Sequence, residues 1–259
     1  MALKVVSLDT SSEHDFFGHV DQDPLEYYFF IFDWKLHRKD TEIYLALEKN
    51  RIEGAMVVYK KSMVHLRGNC KAVETLLEHL ELEKIELTAP RECEDVVLGQ
   101  FKPGRKLELL LMYLQEGEER MHISHELVEI SEDRAEEVAA ILRDSFPDVA
   151  DRTTVDLVKD SIKSNYWLGI EQDDRVVSIG NARFADFGSN IGVIATDEAY
   201  RNRGLATSVV SALVEEILRR CDKALVHVLS DNGPAIHVYR KVGFRPHNSY
   251  LQVKEAERT

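Results

Sequence analysis

The stretch Ile191-Gly-Val-Ile-Ala-Thr-Asp-Glu-Ala-Tyr-Arg-Asn-Arg-Gly-Leu-Ala206 reads as a strand, a glycine-containing turn and a helix start. Ile191, Val193, Ile194 and Ala195 suit a buried strand. The polar run from Asp197 to Arg203 cannot continue it, and Gly204 permits a tight entry into a helix that reaches to about Arg220. In that helix Leu205, Val209, Leu213 and Ile217 recur every fourth residue, with Ser208, Ser211, Glu215, Glu216, Arg219 and Arg220 on the other face. The pattern predicts an amphipathic helix docked on a sheet.

The chemistry lies at the helix entrance. First-turn N–H groups lack intrahelical partners, and the macrodipole adds partial positive charge there. Together they suit a phosphate or pyrophosphate. Gly204 and Ala206 are small enough for close approach, and Arg201 and Arg203 add full charges at the mouth. Alone, Arg-x-x-Gly-x-Ala is equally compatible with a plain strand–helix connection.

A second stretch separates the two readings. Strand-like Ala224-Leu-Val-His-Val-Leu-Ser230 leads into Asp231-Asn-Gly-Pro-Ala-Ile-His-Val-Tyr-Arg-Lys-Val-Gly-Phe244. With both stretches in order, residues 121–259 resemble the GCN5-related N-acetyltransferase (GNAT) superfamily. Arg201, Gly204 and Ala206 match its pyrophosphate turn. Asn232, Ala235, Tyr239, Gly243 and Phe244 match its second signature.

The resemblance implies an α/β (α+β) fold and acetyl-CoA as cosubstrate, with no metal. It implies direct attack of a primary amine on the thioester within a ternary complex. The strand Ile194-Ala195-Thr196 is expected to splay from its neighbour near Ser230, leaving a gap for the pantetheine arm. A main-chain N–H near Ile194 is expected to meet the oxyanion. The N–H groups of Asn202, Arg203, Gly204, Leu205, Ala206 and Thr207 are expected to hold the pyrophosphate. Asn232 resembles the asparagine that bonds the coenzyme arm, although a helix-start role suits it equally. Tyr239 is the expected general acid, since a phenol with an ordinary pKa near 10 stays protonated at neutral pH. Its alternative is a core tyrosine beside Phe244.

The general base is open. The strand from Ile191 to Thr196 has no carboxylate for the role. His227 is a tentative base, with Asp186 and Glu171 as weaker candidates and a water chain as a further one. The acceptor is open too: a small-molecule or peptide amine. The two-unit layout is similar to the glycine N-acyltransferase-like, FR47-like branch. Phe184, Tyr166, Trp167 and the aromatic run Tyr27 to Trp34 are candidates to line a pocket, or else core. A non-enzymatic acyl-CoA sensor is the alternative function, and a homodimer is left open.

Composition narrows the class. A hydrophobic content of 44% beside 31% charged residues suits an ordered globular chain rather than a disordered one. A net charge of −13 argues against a nucleic-acid partner. No apolar run is long enough to span a bilayer, and the start Met-Ala-Leu-Lys-Val-Val lacks a secretory layout. A cytoplasmic location is expected. Cys70, Cys93 and Cys221 are widely spaced, forming neither a disulfide framework nor a zinc pattern, and are expected to be buried thiols.

The N-terminal part, 1–115, repeats the order of the C-terminal part, 121–259: strands, helix, strand, short helix, strand. Asp23-Pro24 looks like a helix start, Asn50 centres a turn between strands, and 122–130 is expected as the first strand of the second part. Gly99-Gln-Phe-Lys-Pro103 echoes Val242-Gly-Phe-Arg-Pro246. Two GNAT-like units are expected, each a mostly antiparallel mixed sheet flanked by helices, joined by Gln115-Glu-Gly-Glu-Glu-Arg120. The first is expected to lack a coenzyme site. Leu66-Arg-Gly-Asn69 stands where the pyrophosphate turn belongs, and Val96 stands where Tyr239 belongs.

Overall fold

Alternating apolar and polar residues set most of the strands seen in the structure, a computed structural model that describes residues 3–259. Met1 and Ala2, which open the stretch read as lacking a secretory layout, lie outside the described residues. The first half runs β1 (Lys4–Ser7), α1 (Glu13–Val20), α2 (Tyr28–Leu36), β2 (Thr41–Glu48), β3 (Arg51–Tyr59), β4 (Met63–Gly68), α3 (Cys70–His79), β5 (Lys84–Pro90), α4 (Glu94–Gln100), β6 (Phe101–Lys102) and β7 (Arg105–Gln115). The second runs β8 (Val128–Glu129), α5 (Ala135–Ser145), α6 (Val155–Ser164), β9 (Tyr166–Gln172), β10 (Arg175–Arg183), β11 (Ser189–Thr196), α7 (Leu205–Leu218), β12 (Lys223–Leu229), α8 (Gly233–Val242) and β13 (Arg245–Arg258).

The repeat holds element by element. In each half a strand and two helices precede three antiparallel strands, and the third strand pairs in parallel with the one after the next helix. The hairpin turns repeat as well. Lys49 and Asn50 between β2 and β3, and Asp173 and Asp174 between β9 and β10, all have positive φ. Two consecutive left-handed residues match the twist of the flanking strands.

The chain forms two compact units, but not by a single cut at 115–120. Unit 1 takes the described chain through Leu110, with Leu229–Asp231 and Asn248–Thr259. Unit 2 takes Leu111–Val228 and Asn232–His247. In unit 1 the strand order is β1-β2-β3-β4-β5-β13, with β13 from Asn248 on, and in unit 2 it is β7-β12-β11-β10-β9-β8, with β7 from Leu111 on. Each sheet is therefore completed by the last strand of the other repeat. Leu251, Val253 and Ala256 of β13 are buried with Leu76, Leu87 and Phe101 in the core of unit 1. The segment read as a linker is tied down within unit 2. Glu116 N–H donates to the Asp222 carbonyl at 2.9 Å, and Arg120 N–H to that of Val242 at 2.8 Å.

Three local expectations fail for visible reasons. The first strand of the second half is only Val128–Glu129, because residues 122–124 bond to helix hydroxyls instead of a ladder. His122 and Ser124 donate their N–H groups to Ser211 and Ser208 Oγ of α7, each at 3.1 Å. Asp23 opens a turn, accepting from Glu26 N–H at 3.2 Å, and the helix starts later at Tyr28. Cys70 and Cys93 form a disulfide between the start of α3 and the turn before α4, leaving Cys221 as the free thiol. They are far apart in sequence but meet because α3 and α4 pack together.

Unit 2 is layered. On one face of its sheet Ile194 meets Val209 and Leu213 of α7 over Gly180. On the other, Val193, Ala195 and Ile179 pack against Ala135, Val138 and Ala139 of α5.

Candidate active site

The strand pair β11–β12 opens. It runs in parallel register through Ser189–Ala224, Asn190–Leu225 and Ile191–Val226, and pairing stops there, although β11 continues to Thr196 and β12 to Leu229. Gly192 and Asn181 give the local cause. The β10–β11 register shifts at Asn181, where two residues of β11 oppose one of β10. The buried Asn181 Oδ1 accepts from Val193 N–H at 2.8 Å. A Cβ on residue 192 would come within 2.5 Å of that oxygen, so glycine is required. Val193 N–H faces β10, and so does Asp197 N–H, which donates to the Val177 carbonyl at 2.9 Å. Alternation along an extended strand then turns the N–H of Ile194 to the opposite edge, into the gap. Ile194, Ala195 and Thr196 thus stand where the splay was expected.

The turn after β11 ends in an uncapped helix. Gly204 is the N-cap of α7 at φ +82°, with no capping side chain and no acidic residue in the first turn. A Cβ there would meet only His125 Cε1, at 3.8 Å, so space is open and the backbone conformation alone calls for glycine. Asn202 is also left-handed. Arg201 Nε donates to the Thr196 carbonyl at 3.1 Å and an Arg203 Nη to that of Ala199 at 2.9 Å. Both guanidiniums are thus fixed on the turn, and neither pairs with a carboxylate among the described residues. Donors from Asn202 to Thr207, the dipole and two cations converge on this mouth.

Helix α8 supplies Tyr239. Its ring is 5% exposed and packs edge-to-face on Phe244, with centroids 5.6 Å apart. Burial pushes the phenol pKa above its ordinary value of 10. The packed position and the protonated state coexist, so the core and acid readings are compatible. The rest of this signature has structural causes. Asn232 Oδ1 accepts from Ala235 N–H at 3.2 Å, capping α8. Gly243 ends the helix at φ +118°, and a Cβ there would lie 2.6 Å from the Glu118 carbonyl.

His227 sits one residue beyond the last paired position of β12, half-buried between buried Val226 and Val228. Glu171 is held by Arg134 at 2.5 Å. Asp186 lies before the other end of β11, away from the splay. The aromatic candidates are packed. Trp167 is 3% exposed and donates to the Ser161 carbonyl, while Arg220 stacks over Phe184, 3.7 Å from its centroid, and lies 5.8 Å from that of Tyr166. In unit 1, Tyr28, Phe30 and Ile31 are core, and Trp34 donates to Glu13. Sequence reading missed His125, whose Nδ1 lies 3.1 Å from Ser208 Oγ at the mouth of α7. Its only sequence signal is Ser208, which reads with Ser211 on the polar face of the helix but is fully buried, as Ser211 is.

In unit 1 the corresponding parallel ladder also stops short of the end of its strand. The β4–β5 ladder spans Met63–Glu86 to His65–Thr88, and β4 continues to Gly68. Beyond the ladder lies Arg67, 3% exposed, which donates to the Leu66 carbonyl at 2.8 Å and pairs with Glu26 at 2.7 Å. The connection to α3 is Asn69 alone. It caps the helix, accepting from Ala72 N–H at 3.0 Å, and binds the Glu53 carboxylate at 3.2 Å.

Comparison with known proteins agrees with this geometry. Residues 167–253 match the family described as FR47-like protein. The L-amino acid N-acetyltransferase AaaT of Escherichia coli K12 is 42% identical over 66 residues, 23% of this chain. The chain spans 35% of that relative's length. A solved Drosophila protein superposes with TM-score 0.73 at 14% identity, covering 96% of this chain and 98% of its own. A GNAT-family acetyltransferase structure from Novosphingobium aromaticivorans gives 0.54 at 19% identity, covering 75% and 84%. A tandem GNAT protein from the clavulanic acid biosynthesis pathway gives 0.53 at 12%, covering 84% and 82%. Residues 167–253 thus carry the FR47-like pattern, on a fold that the chain shares with GNAT-family acetyltransferase structures.

Proposed function

We propose that this chain is an acetyl-CoA-dependent N-acyltransferase whose catalytic unit is unit 2. The observation that carries the reading is the end of the β11–β12 ladder at Ile191–Val226, on the strand that leads into an uncapped, doubly cationic helix start. In this reading the unpaired edge from Ile194 to Thr196 takes the amide arm of the coenzyme as an added strand. Arg201, Arg203 and the N–H groups from Asn202 to Thr207 hold the pyrophosphate. Asn232, besides capping α8, lies beside that arm.

The Ile194 N–H donates to the thioester oxygen as negative charge develops there. The amine nitrogen bonds to the carbonyl carbon, the carbon–sulfur bond breaks, and Tyr239 gives its proton to the departing thiolate. His227 takes the proton lost by the amine. The acceptor class is an L-amino acid amine, the class named for the E. coli relative. Unit 1 contributes no coenzyme site. Arg67 is buried just beyond its ladder and paired with Glu26, Asn69 takes the helix donor, Glu53 brings negative charge, and Val96 has no proton to give.

Turnover tests this directly, by following thiol release and acetylated product across a panel of L-amino acids and other primary amines. Acetylation of at least one L-amino acid is expected. Saturable coenzyme binding with no acetylated amine in the panel would favour an acyl-CoA sensor instead.

A further inference from the structure

Asn181 and Asn190 are both buried in the sheet of unit 2, at 2% and 4% exposure, but the fold uses only one of their side-chain carbonyls. Asn181 Oδ1 accepts from Val193 N–H at 2.8 Å. Asn190 Oδ1 is buried with no hydrogen-bond partner among the described residues. A buried carbonyl without a donor is destabilising, so its presence calls for a cause. Directly opposite Asn190 on β10 stands Arg183. It is half-buried, and its guanidinium makes no hydrogen bond, ion pair or ring contact among the described residues. In a chain with 46 acidic and 33 basic residues, this cation is not unpaired for want of carboxylates. Opposed residues of an antiparallel pair share a sheet face. Pairing of β10 with β9 is unbroken from Ser178 to Ala182, so Ile179, Asn181 and Arg183 alternate onto the face where Ile179 packs with α5. Asn190 is one rung short of the splay, beside Leu225, and His227 follows Leu225 by two residues on the same face. Gly192, between Asn190 and Ile194, puts no side chain there. From Asn190 to Ile194 the strand runs on the order of 10 Å, the length filled by an asparagine side chain, a hydrogen bond and an attack distance in series.

We infer that Asn190 and Arg183 bind the acceptor: Asn190 Oδ1 accepts from an N–H of the amine, and Arg183 takes the carboxylate of the same amino acid. The inference rests on the acyltransferase reading above and names the residues that would make its acceptor an amino acid. Each side chain lacks a partner, and the missing partners differ: a donor for the carbonyl, an anion for the guanidinium. A free α-amino acid carries both, one carbon apart. The planar guanidinium suits a carboxylate, which it binds through two parallel N–H···O bonds. A neutral amine that donates to Asn190 keeps its lone pair for the thioester carbon. A simple primary amine satisfies Asn190 alone, so Arg183 is the residue that selects for the carboxylate.

The test is steady-state acetyl transfer by the full chain, with L-amino acids each paired with its own α-amide, L-leucine and L-leucinamide among them. The amide lacks the carboxylate and its amine is less basic, so the readout is each variant's loss relative to wild type on the same substrate. Arg183→Ala should lose about 10- to 100-fold in kcat/KM on the amino acids, and several-fold less on their amides. Asn190→Leu keeps the side-chain volume and removes the unpaired carbonyl. Its melting temperature should not fall, while kcat/KM drops roughly three- to tenfold on amino acids and amides alike. Calorimetric affinity for CoA should be the same in all three proteins. Equal losses on acid and amide in Arg183→Ala, or no loss, would overturn the inference, and so would full turnover by Asn190→Leu. A wild type that binds CoA but acetylates neither member of any pair would instead bring down the acyltransferase reading, and the inference with it.

Discussion

Gly204 offers two separable perturbations of the anion site. At φ +82° any residue with a Cβ is strained, by about 1–2 kcal/mol. The space around it is open, with His125 Cε1 at 3.8 Å as the nearest atom, so a methyl group adds no clash. Gly204→Ala should therefore lower stability by about that amount and leave coenzyme binding within a few fold of wild type. Gly204→Glu carries the same strain and adds a carboxylate at the mouth. A charge about 5 Å from a phosphate costs about 3 kcal/mol at an effective dielectric constant of about 20. Solvent screening at this exposed position reduces that, so the dissociation constant for CoA should rise roughly 10- to 100-fold. Calorimetric titration beside a thermal melt reads both effects, and added salt should narrow the gap between the two variants. Equal binding losses in Ala and Glu variants would show that the site depends on backbone shape alone. Wild-type binding by Gly204→Glu would show that the phosphates bind elsewhere.

Two further predictions concern unit 1. The Cys70–Cys93 disulfide closes a loop with a sequence separation of 23, for which chain entropy predicts about 3 kcal/mol of stabilisation. Cys70→Ala should lower a calorimetric melting temperature by roughly 10 °C, and an unchanged melt with three alkylatable thiols before reduction would contradict the bond. Because Leu251, Val253 and Ala256 complete the core of unit 1, an isolated fragment 1–115 should show no cooperative thermal transition, and Leu251→Ala in the full chain should cost about 2–5 kcal/mol. A fragment that melts as sharply as the full chain would show that β13 is dispensable to this unit.

The sequence carried the second half of the fold well, because its elements are set by strong local signals. Leu205 to Leu218 is helical as its four-residue period predicts, and Gly204 sits in the left-handed conformation that a tight entry needs. The splay, by contrast, came from family resemblance alone. Its physical cause, the fit of Asn181 against Gly192, joins residues of two strands and leaves no local pattern. The same limit hid the strand exchange, since neither β7 nor β13 says which sheet it will join. It hid the disulfide, whose cysteines look unrelated until α3 and α4 pack. His125 escaped notice because its partner, Ser208, is an ordinary helix serine until the segment before β8 crosses it. Asp23-Pro24 misled for the opposite reason, as a good local helix signal that the chain uses for a turn.

Tyr239→Phe tests the central claim most directly, because it removes one hydroxyl and keeps the ring packed on Phe244. Positioned acid catalysis contributes about 10²–10⁴-fold. The turnover number for acetyl transfer should fall within that range, with CoA affinity and melting temperature nearly unchanged. An acetyl donor whose leaving thiol has a low pKa should recover much of the lost rate in the variant and change the wild type little. Full turnover by Tyr239→Phe, or equal losses with both donors, would contradict its role as the acid.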